Sequence, residues 1–129
     1  MSHHRETVTA AGAPKAAGPY SHAVKSNGVV YLSGQTPLDP ATGALVEGSI
    51  GDQARRVLDN LTIVAEAAGT TLQDAVRIGI YVTDISTFKD VNEAYAAYFT
   101  DEPPARTTIG VASLPLGAQI EMDAIVAVS

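Results

Sequence analysis

The sequence predicts an α+β domain with the element order ββαβαββ, in which two helices pack on one face of a mixed sheet. First, Asn27-Gly28 separates two strand-like runs in residues 22–35, and this pair is a strong β-hairpin signal because both residues tolerate positive φ. Second, two segments repeat apolar side chains at helical spacing. Third, β-branched runs at residues 75–82, 106–112 and 119–128 predict three further strands.

Each predicted helix has an apolar stripe and an end signal. The first covers residues 50–69, where Gly69 ends it, and its stripe is Ile50, Ala54, Val57, Leu58, Leu61, Val64, Ala65 and Ala68. The second covers residues 86–99, with Ser86 or Thr87 as the cap, and its stripe is Phe88, Val91, Tyr95, Tyr98 and Phe99.

Size and composition narrow the function classes. The 129 residues predict a single domain, 1–129, of which residues 1–8 are expected to be a flexible or tag-derived start. The absence of cysteine excludes disulfides, thiolate metal sites and a cysteine nucleophile. A formal net charge of −6 without a basic stripe argues against nucleic acid as a partner. No apolar run suits a membrane span or a signal peptide, so a cytoplasmic location is expected.

The last two strands indicate where charged groups lie. In residues 119–128 the apolar side chains alternate with Glu121 and Asp123, which predicts one buried face and one outer face. If these strands form a hairpin with coinciding apolar faces, Arg106 and Glu121 share the outer face. Ile125 and Ala127 make that outer face partly apolar, which predicts oligomerisation through the open side of the sheet.

Arg106 and Glu121 are the strongest candidates for chemistry. Arg106 either pairs with a carboxylate, namely Asp101, Glu102 or Glu121, or clamps a small carboxylate ligand through two hydrogen bonds. Glu121 and Asp123 would repel each other unless one has a raised pKa or a cation lies between them. They are therefore either a general acid/base pair or two solvated charges on a strand exterior.

Four other positions carry weaker signals. Tyr20 follows a Gly-Pro turn, and its side chain either packs against the protein or presents its phenol to a ligand. Asn92 lies inside the second helix, where it either makes a specific polar contact or is simply exposed. Ser33-Gly34 ends the second strand, where glycine would admit a ligand to the backbone, although a simple turn explains it equally well. His22 alone cannot make a zinc site or a triad, and we assign it no role.

Six segments, taken together and in order, resemble the reactive intermediate deaminase family (RidA or YjgF-like, with the older label L-PSP endoribonuclease). They are GPYSHAV, YLSGQTPLDPATG, QARRVLDNL, VNEAYAAYF, PPARTTIG and IEMDAIV, and they cover essentially the whole chain. The resemblance implies a chorismate-mutase-like (YjgF-like) fold and a homotrimer with sites in the clefts between subunits. It also implies cofactor-free and metal-free hydrolysis of enamines or imines, such as 2-aminoacrylate, 2-iminobutanoate or 2-iminopropanoate, to 2-keto acids and ammonia.

The resemblance also assigns residue roles. It implies that Arg106 binds the substrate carboxylate, that Glu121 handles water and that Tyr20 shapes the pocket, with further pocket positions at Ser33, Gly34 and Asn92. Thr108 stands where many members have cysteine, so a backbone contact would survive there but a thiol role would not.

Two alternatives remain open at this point. The first is an endoribonuclease of the L-PSP type, against which the acidic charge counts. The second is a non-catalytic trimer that binds a small carboxylate as a sensor or acts as a holdase, and such a protein has no use for Glu121.

Overall fold

Six strands form one sheet, and two helices cover one of its faces, in a computed structural model that describes residues 4–128. The strands are β1 (Glu6–Val8), β2 (Ala23–Ser26), β3 (Val29–Gln35), β4 (Ala75–Val82), β5 (Ala105–Gly110) and β6 (Ile120–Ala127). The helices are α1 (Ile50–Ala67) and α2 (Phe88–Tyr98). The sheet order is β1-β2-β3-β6-β4-β5, and the β4–β5 pair is parallel while the other neighbours are antiparallel.

The predicted α+β class, mixed sheet and pair of helices are confirmed. The hairpin at Asn27-Gly28 also forms as predicted, with φ of 54° and 78° at its two central residues. The prediction of a flexible start is wrong for residues 6–8, which form β1 and pair with β2, so the sheet has one strand more than predicted. Residues 1–3 of that predicted start lie outside the described residues.

The predicted final hairpin is wrong. Strand β5 pairs in parallel with β4, and β6 lies between β3 and β4, antiparallel to both. The reason is that α2 forms the crossover that brings β5 back in parallel beside β4. Strand β6 lies inside the sheet because both of its faces are shielded from water. Its inner side chains are buried, and Ile125 on its outer face is half-buried.

The core lies between the helices and the inner face of the sheet. Helix α1 begins with a capping box, in which Ser49 accepts from the Asp52 amide and Asp52 accepts from the Ser49 amide. Its buried apolar side chains pack on the inner side chains of the central strands, chiefly Ile78, Ile80, Ile120, Met122, Ala124 and Val126. Within residues 4–128, neither helix is long and apolar enough to cross a membrane.

Asn60 ties the chain that follows β3 to helix α1. Its fully buried amide nitrogen donates to the carbonyl oxygens of Thr36 and Leu38 at 3.2 and 2.9 Å. Its amide oxygen accepts two hydrogen bonds from the Arg56 guanidinium, at 3.1 and 2.8 Å. Every polar atom of the side chain therefore has a partner, and the segment that leaves β3 has a fixed path.

We expect Asn60→Ala to lower the free energy of unfolding by about 1–3 kcal/mol, because it leaves the Thr36 and Leu38 carbonyl oxygens without this donor. Urea unfolding of the variant measures this loss. The control is Asp59→Ala at the adjacent, exposed position of the same helix, which should change the unfolding free energy by less than about 0.5 kcal/mol. Equal stabilities for the two variants would contradict the role of Asn60.

Candidate active site

Glu121 lies on the outer face of β6, beside an irregularity in β3. Pairing of β3 with β6 runs from Leu32 opposite Ala124 to Gln35 opposite Met122, so two residues of β3 face one residue of β6. This arrangement is a β-bulge, which redirects the chain at Ser33 and Gly34. A Cβ on Gly34 would collide with Oε2 of Glu121. Gly34, which was predicted to admit a ligand to the backbone, therefore leaves room for the Glu121 carboxylate.

A small cavity of about 50 Å³ adjoins the Glu121 carboxylate, and its lining includes Tyr20, His22, Gly34 and Lys15. This volume is of the order that one or two water molecules need. The Tyr20 side chain is partly exposed, and its hydroxyl accepts from the Ala17 amide at 3.1 Å. The structure thus brings Tyr20, Gly34 and Glu121 together around a space suited to water.

Ser33 does not line this cavity. Its hydroxyl donates to the Ser21 carbonyl at 2.7 Å, and its amide donates to the His22 carbonyl at 3.0 Å. Ser33 therefore braces the chain that carries Tyr20.

The Glu121 carboxylate receives no hydrogen bond from residues 4–128. Burial, and secondly the negative charge of Asp123, raise the pKa of Glu121 above its usual value. Asp123 lies two residues further on the same face, where the Arg77 guanidinium is 3.7 Å away and the Tyr81 hydroxyl donates to it at 3.0 Å. Burial, and then this bond, raise the pKa of Tyr81. The cation expected near the carboxylate pair is therefore on the Asp123 side.

Gly79 makes room for this second group. A Cβ there would collide with the Asp123 carboxylate and would lie 2.7 Å from the Tyr81 hydroxyl and 3.0 Å from the Arg77 guanidinium. The Arg77–Tyr81–Asp123 cluster thus occupies the space of a missing side chain.

Arg106 lies on the other face of the sheet, against helix α2. Its guanidinium donates to the Asn92 side-chain oxygen at 2.7 Å. Its Cζ is 4.8 Å from the ring centroid of Tyr95 and 5.4 Å from that of Phe88, both within the range of cation–π attraction. The ion pairs found among residues 4–128 are Arg55–Asp52 and Arg77–Asp123, so Arg106 has no carboxylate partner in that part of the chain.

A groove adjoins the Arg106 guanidinium. It is lined by Asn92, Tyr95, Phe99, Pro103, Pro104 and Arg106. Thr108 lies two residues beyond Arg106 on the same face, and its buried hydroxyl has no hydrogen-bond partner within the described chain. Asn92, Arg106 and Thr108 therefore form a second group of predicted site residues.

The prediction that Arg106 and Glu121 share the outer face is wrong. Arg106 aligns with the core residue Ile78, whereas Glu121 aligns with Tyr81 on the opposite face. The two positions are separated by two strand spacings of about 4.8 Å and by three residues, or about 10 Å, along the strands. The error came from assuming that β5 and β6 are neighbours with coinciding apolar faces, whereas β5 pairs only with β4 and Ile109 is exposed at the sheet edge.

No pattern in the sequence selects His22 or Asn60, because a single buried polar side chain has no periodic signal. His22 bonds to residues 12 and 8 positions away, and the carbonyl partners of Asn60 lie 24 and 22 positions away. Asp123 was selected through its spacing from Glu121, but its partners Arg77 and Tyr81 were not. They lie on β4, and only the pairing of β4 with β6 brings them to it.

Comparison with known proteins identifies the family. A family model described as Endoribonuclease L-PSP matches residues 10–128. The chain is 42% identical to a RutC family protein of Pyrococcus horikoshii over 94% of this chain and 96% of that protein. It is 45% identical to the chloroplastic Reactive Intermediate Deaminase A of Arabidopsis thaliana, over 94% of this chain and 65% of the relative.

A solved structure agrees with this assignment. The crystal structure of RidA from the Antarctic bacterium Psychrobacter sp. PAMC 21119 matches with a TM-score of 0.92 at 40% identity, over 95% of this chain and 99% of that one. The predicted family resemblance is therefore confirmed, and the chain belongs to the L-PSP endoribonuclease family, the family that also contains the reactive intermediate deaminases.

Proposed function

We propose that the protein is a cofactor-free deaminase that hydrolyses 2-aminoacrylate and 2-imino acids to 2-keto acids and ammonia. The observation that carries the proposal is the state of Arg106, a half-buried guanidinium held by Asn92 and two aromatic rings, with no carboxylate partner in residues 4–128. A guanidinium held in this way matches a planar carboxylate at two points. The deaminase name of the Arabidopsis relative and the RidA name of the Psychrobacter structure support the same reaction class.

Glu121 supplies the proton chemistry in this proposal. A 2-imino acid is already electrophilic, so the protein needs to hold its carboxylate, place a water near the imine carbon and move protons. Glu121 takes a proton from the attacking water in the adjoining cavity, and the oxygen bonds to the imine carbon. Glu121 returns this proton to the nitrogen, which gives a carbinolamine. It then takes the proton of the new hydroxyl and passes it to the nitrogen, so that the carbon–nitrogen bond breaks as the carbon–oxygen double bond forms, and ammonia and the 2-keto acid result.

The raised pKa of Glu121 suits this double role. A carboxyl group whose pKa lies closer to neutral holds and releases a proton more evenly than an ordinary glutamate does. An enamine substrate must first gain a proton on carbon, and we assign that step to no residue.

We further propose that each site forms between two subunits of a homotrimer. Arg106 and Glu121 lie on opposite faces of the sheet, so one chain cannot present both to one small substrate. The outer face also carries exposed apolar side chains, among them Tyr31 and Ile109, that a neighbouring subunit would cover. A substrate held by Arg106 of one subunit would meet Glu121, Gly34 and Tyr20 of the next.

The endoribonuclease alternative rests on the family description, and the net charge of −6 gives RNA no basic surface to bind. The carboxylate-binding alternative would retain Arg106 but needs no proton carrier. The Glu121→Gln variant below tests the carboxylate-binding alternative.

Replacing Arg106 tests the carboxylate clamp. We expect Arg106→Ala to keep the assembly and a melting temperature near that of the wild type, because the arginine neutralises no buried carboxylate in the described chain. Its kcat/KM on 2-imino acids should fall at least about a hundredfold, and Arg106→Lys should restore only part of it because an ammonium lacks the planar fork. Near-normal deamination by Arg106→Ala, or a large loss of melting temperature, would disprove this role.

Combining two inactive variants tests the site between subunits. Arg106→Ala and Glu121→Gln should each be inactive alone, and Glu121→Gln should still bind a 2-keto acid. Co-expressed in equal amounts, they should regain about a quarter of the wild-type activity, because random assembly of a cyclic trimer leaves one complete site in each mixed trimer. No regain in isolated mixed trimers would contradict the shared site, and turnover by Glu121→Gln would contradict its catalytic role.

The electrostatic coupling of Glu121 to Asp123 predicts a pH effect. Glu121 acts as a base, so kcat/KM rises as pH increases through its raised pKa. Asp123→Asn removes the negative charge that contributes to raising that pKa, so the rising limb should move to lower pH. Asp74→Asn, at an exposed position away from the site, is the charge-matched control and should leave the limb in place. A limb that moves to higher pH in Asp123→Asn, or that does not move, refutes the coupling.

A further inference from the structure

The buried imidazole of His22 holds the segment that carries Tyr20. We call residues 9–22, between β1 and β2, the tyrosine loop. The His22 side chain is 6% exposed, and the Ala10 amide donates to its Nδ1 at 2.9 Å. Its Nε2 lies 2.8 Å from the Pro14 carbonyl oxygen. One ring therefore bonds to the loop at two places, four residues apart.

These two partners select one protonation state. An amide N–H can bond only to an unprotonated Nδ1, and a carbonyl oxygen can accept only from a protonated Nε2. His22 is thus the neutral tautomer with its hydrogen on Nε2. A second proton on Nδ1 would point at the Ala10 N–H and remove the acceptor of a buried amide.

The ring joins both ends of the tyrosine loop. Ala10 and Ala13 at its start are buried, and His22 at its end accepts a backbone hydrogen bond from Ser33. Tyr20 lies two residues before His22, and both line the cavity beside Glu121. The bond from Ala10 to the ring therefore connects the start of the tyrosine loop to the residue two positions after Tyr20.

Three other titratable groups line the cavity with His22, namely Lys15, Tyr20 and Glu121. A positive charge on His22 would be repelled by Lys15 and attracted by Glu121, so their direct effects oppose each other. No other group in the described chain replaces Nδ1 of His22 as the acceptor of the Ala10 amide.

We propose that His22 is a positioning residue, which holds the tyrosine loop in its active geometry while the imidazole is neutral and releases it when the imidazole takes up a proton. The proposal rests on the proposed function, in which Tyr20 shapes the pocket of Glu121.

Glutamine provides a matched replacement for this histidine. Its amide offers one oxygen to accept from Ala10 and one nitrogen to donate to Pro14, and it does not titrate. His22→Gln therefore keeps the two hydrogen bonds and removes the pH response, whereas His22→Ala removes both.

The experiment measures kcat/KM on a 2-imino acid and, by NMR, hydrogen exchange at the Ala10 amide, at about pH 7.5 and about pH 5.5. At the higher pH we expect His22→Gln to lie within about threefold of the wild type, and His22→Ala to be at least about tenfold less active. On acidification, the wild type should lose Ala10 protection and a larger fraction of its activity than His22→Gln loses. The ring ¹⁵N shifts of His22 report its protonation directly.

The inference is overturned if the wild type and His22→Gln show the same change in Ala10 exchange between the two pH values, or if His22→Ala is fully active at the higher pH. The exchange measurement needs no substrate. A protein that protects Ala10 as expected but deaminates nothing would therefore count against the proposed function alone, and an active deaminase without the pH difference would count against His22 alone.

Discussion

The burial of β6 between β3 and β4 is the constraint on which the rest of the structure depends. Its inner side chains, Ile120, Met122, Ala124 and Val126, are almost completely removed from water and lie under helix α1. Because side chains alternate along a strand, burying that set leaves Glu121 and Asp123 on the opposite face. A shift of one residue would put both carboxylates in the core, which fixes the register.

Two glycines on the strands beside β6 complete the environment of these carboxylates. Gly34 on β3 leaves room for Glu121, and Gly79 on β4 leaves room for Asp123 and its partners Arg77 and Tyr81. The two carboxylates therefore have different surroundings although they are two residues apart. Asp123 has a cation and a phenol, while Glu121 has burial and a small cavity, and burial raises the pKa of Glu121 above its usual value.

The parallel pairing of β5 with β4 places Arg106 on the face of the sheet opposite to Glu121. The crossover through α2 sets the edge strand so that Arg106 faces the helix, where Asn92 and the rings of Phe88 and Tyr95 hold it. In our proposal, one chain thus carries an anion-binding half on the helix face and a proton-carrying half on the open face. A small substrate that needs both halves requires a second subunit, so in our proposal catalysis depends on assembly.

The sequence by itself determined both helices, five of the six strands and the chemical types at the candidate site. Asn27-Gly28 predicted its hairpin, the apolar stripes predicted both helices, and the alternation in β6 predicted that Glu121 faces outwards, because these signals are local in the chain. Tertiary structure alone decided which strands are neighbours, and therefore the face of Arg106, the partners of Asp123 and the bonds of His22. Those contacts join residues far apart in the chain, and the weak apolar pattern of an edge strand such as β5 does not specify which of its faces the helices cover.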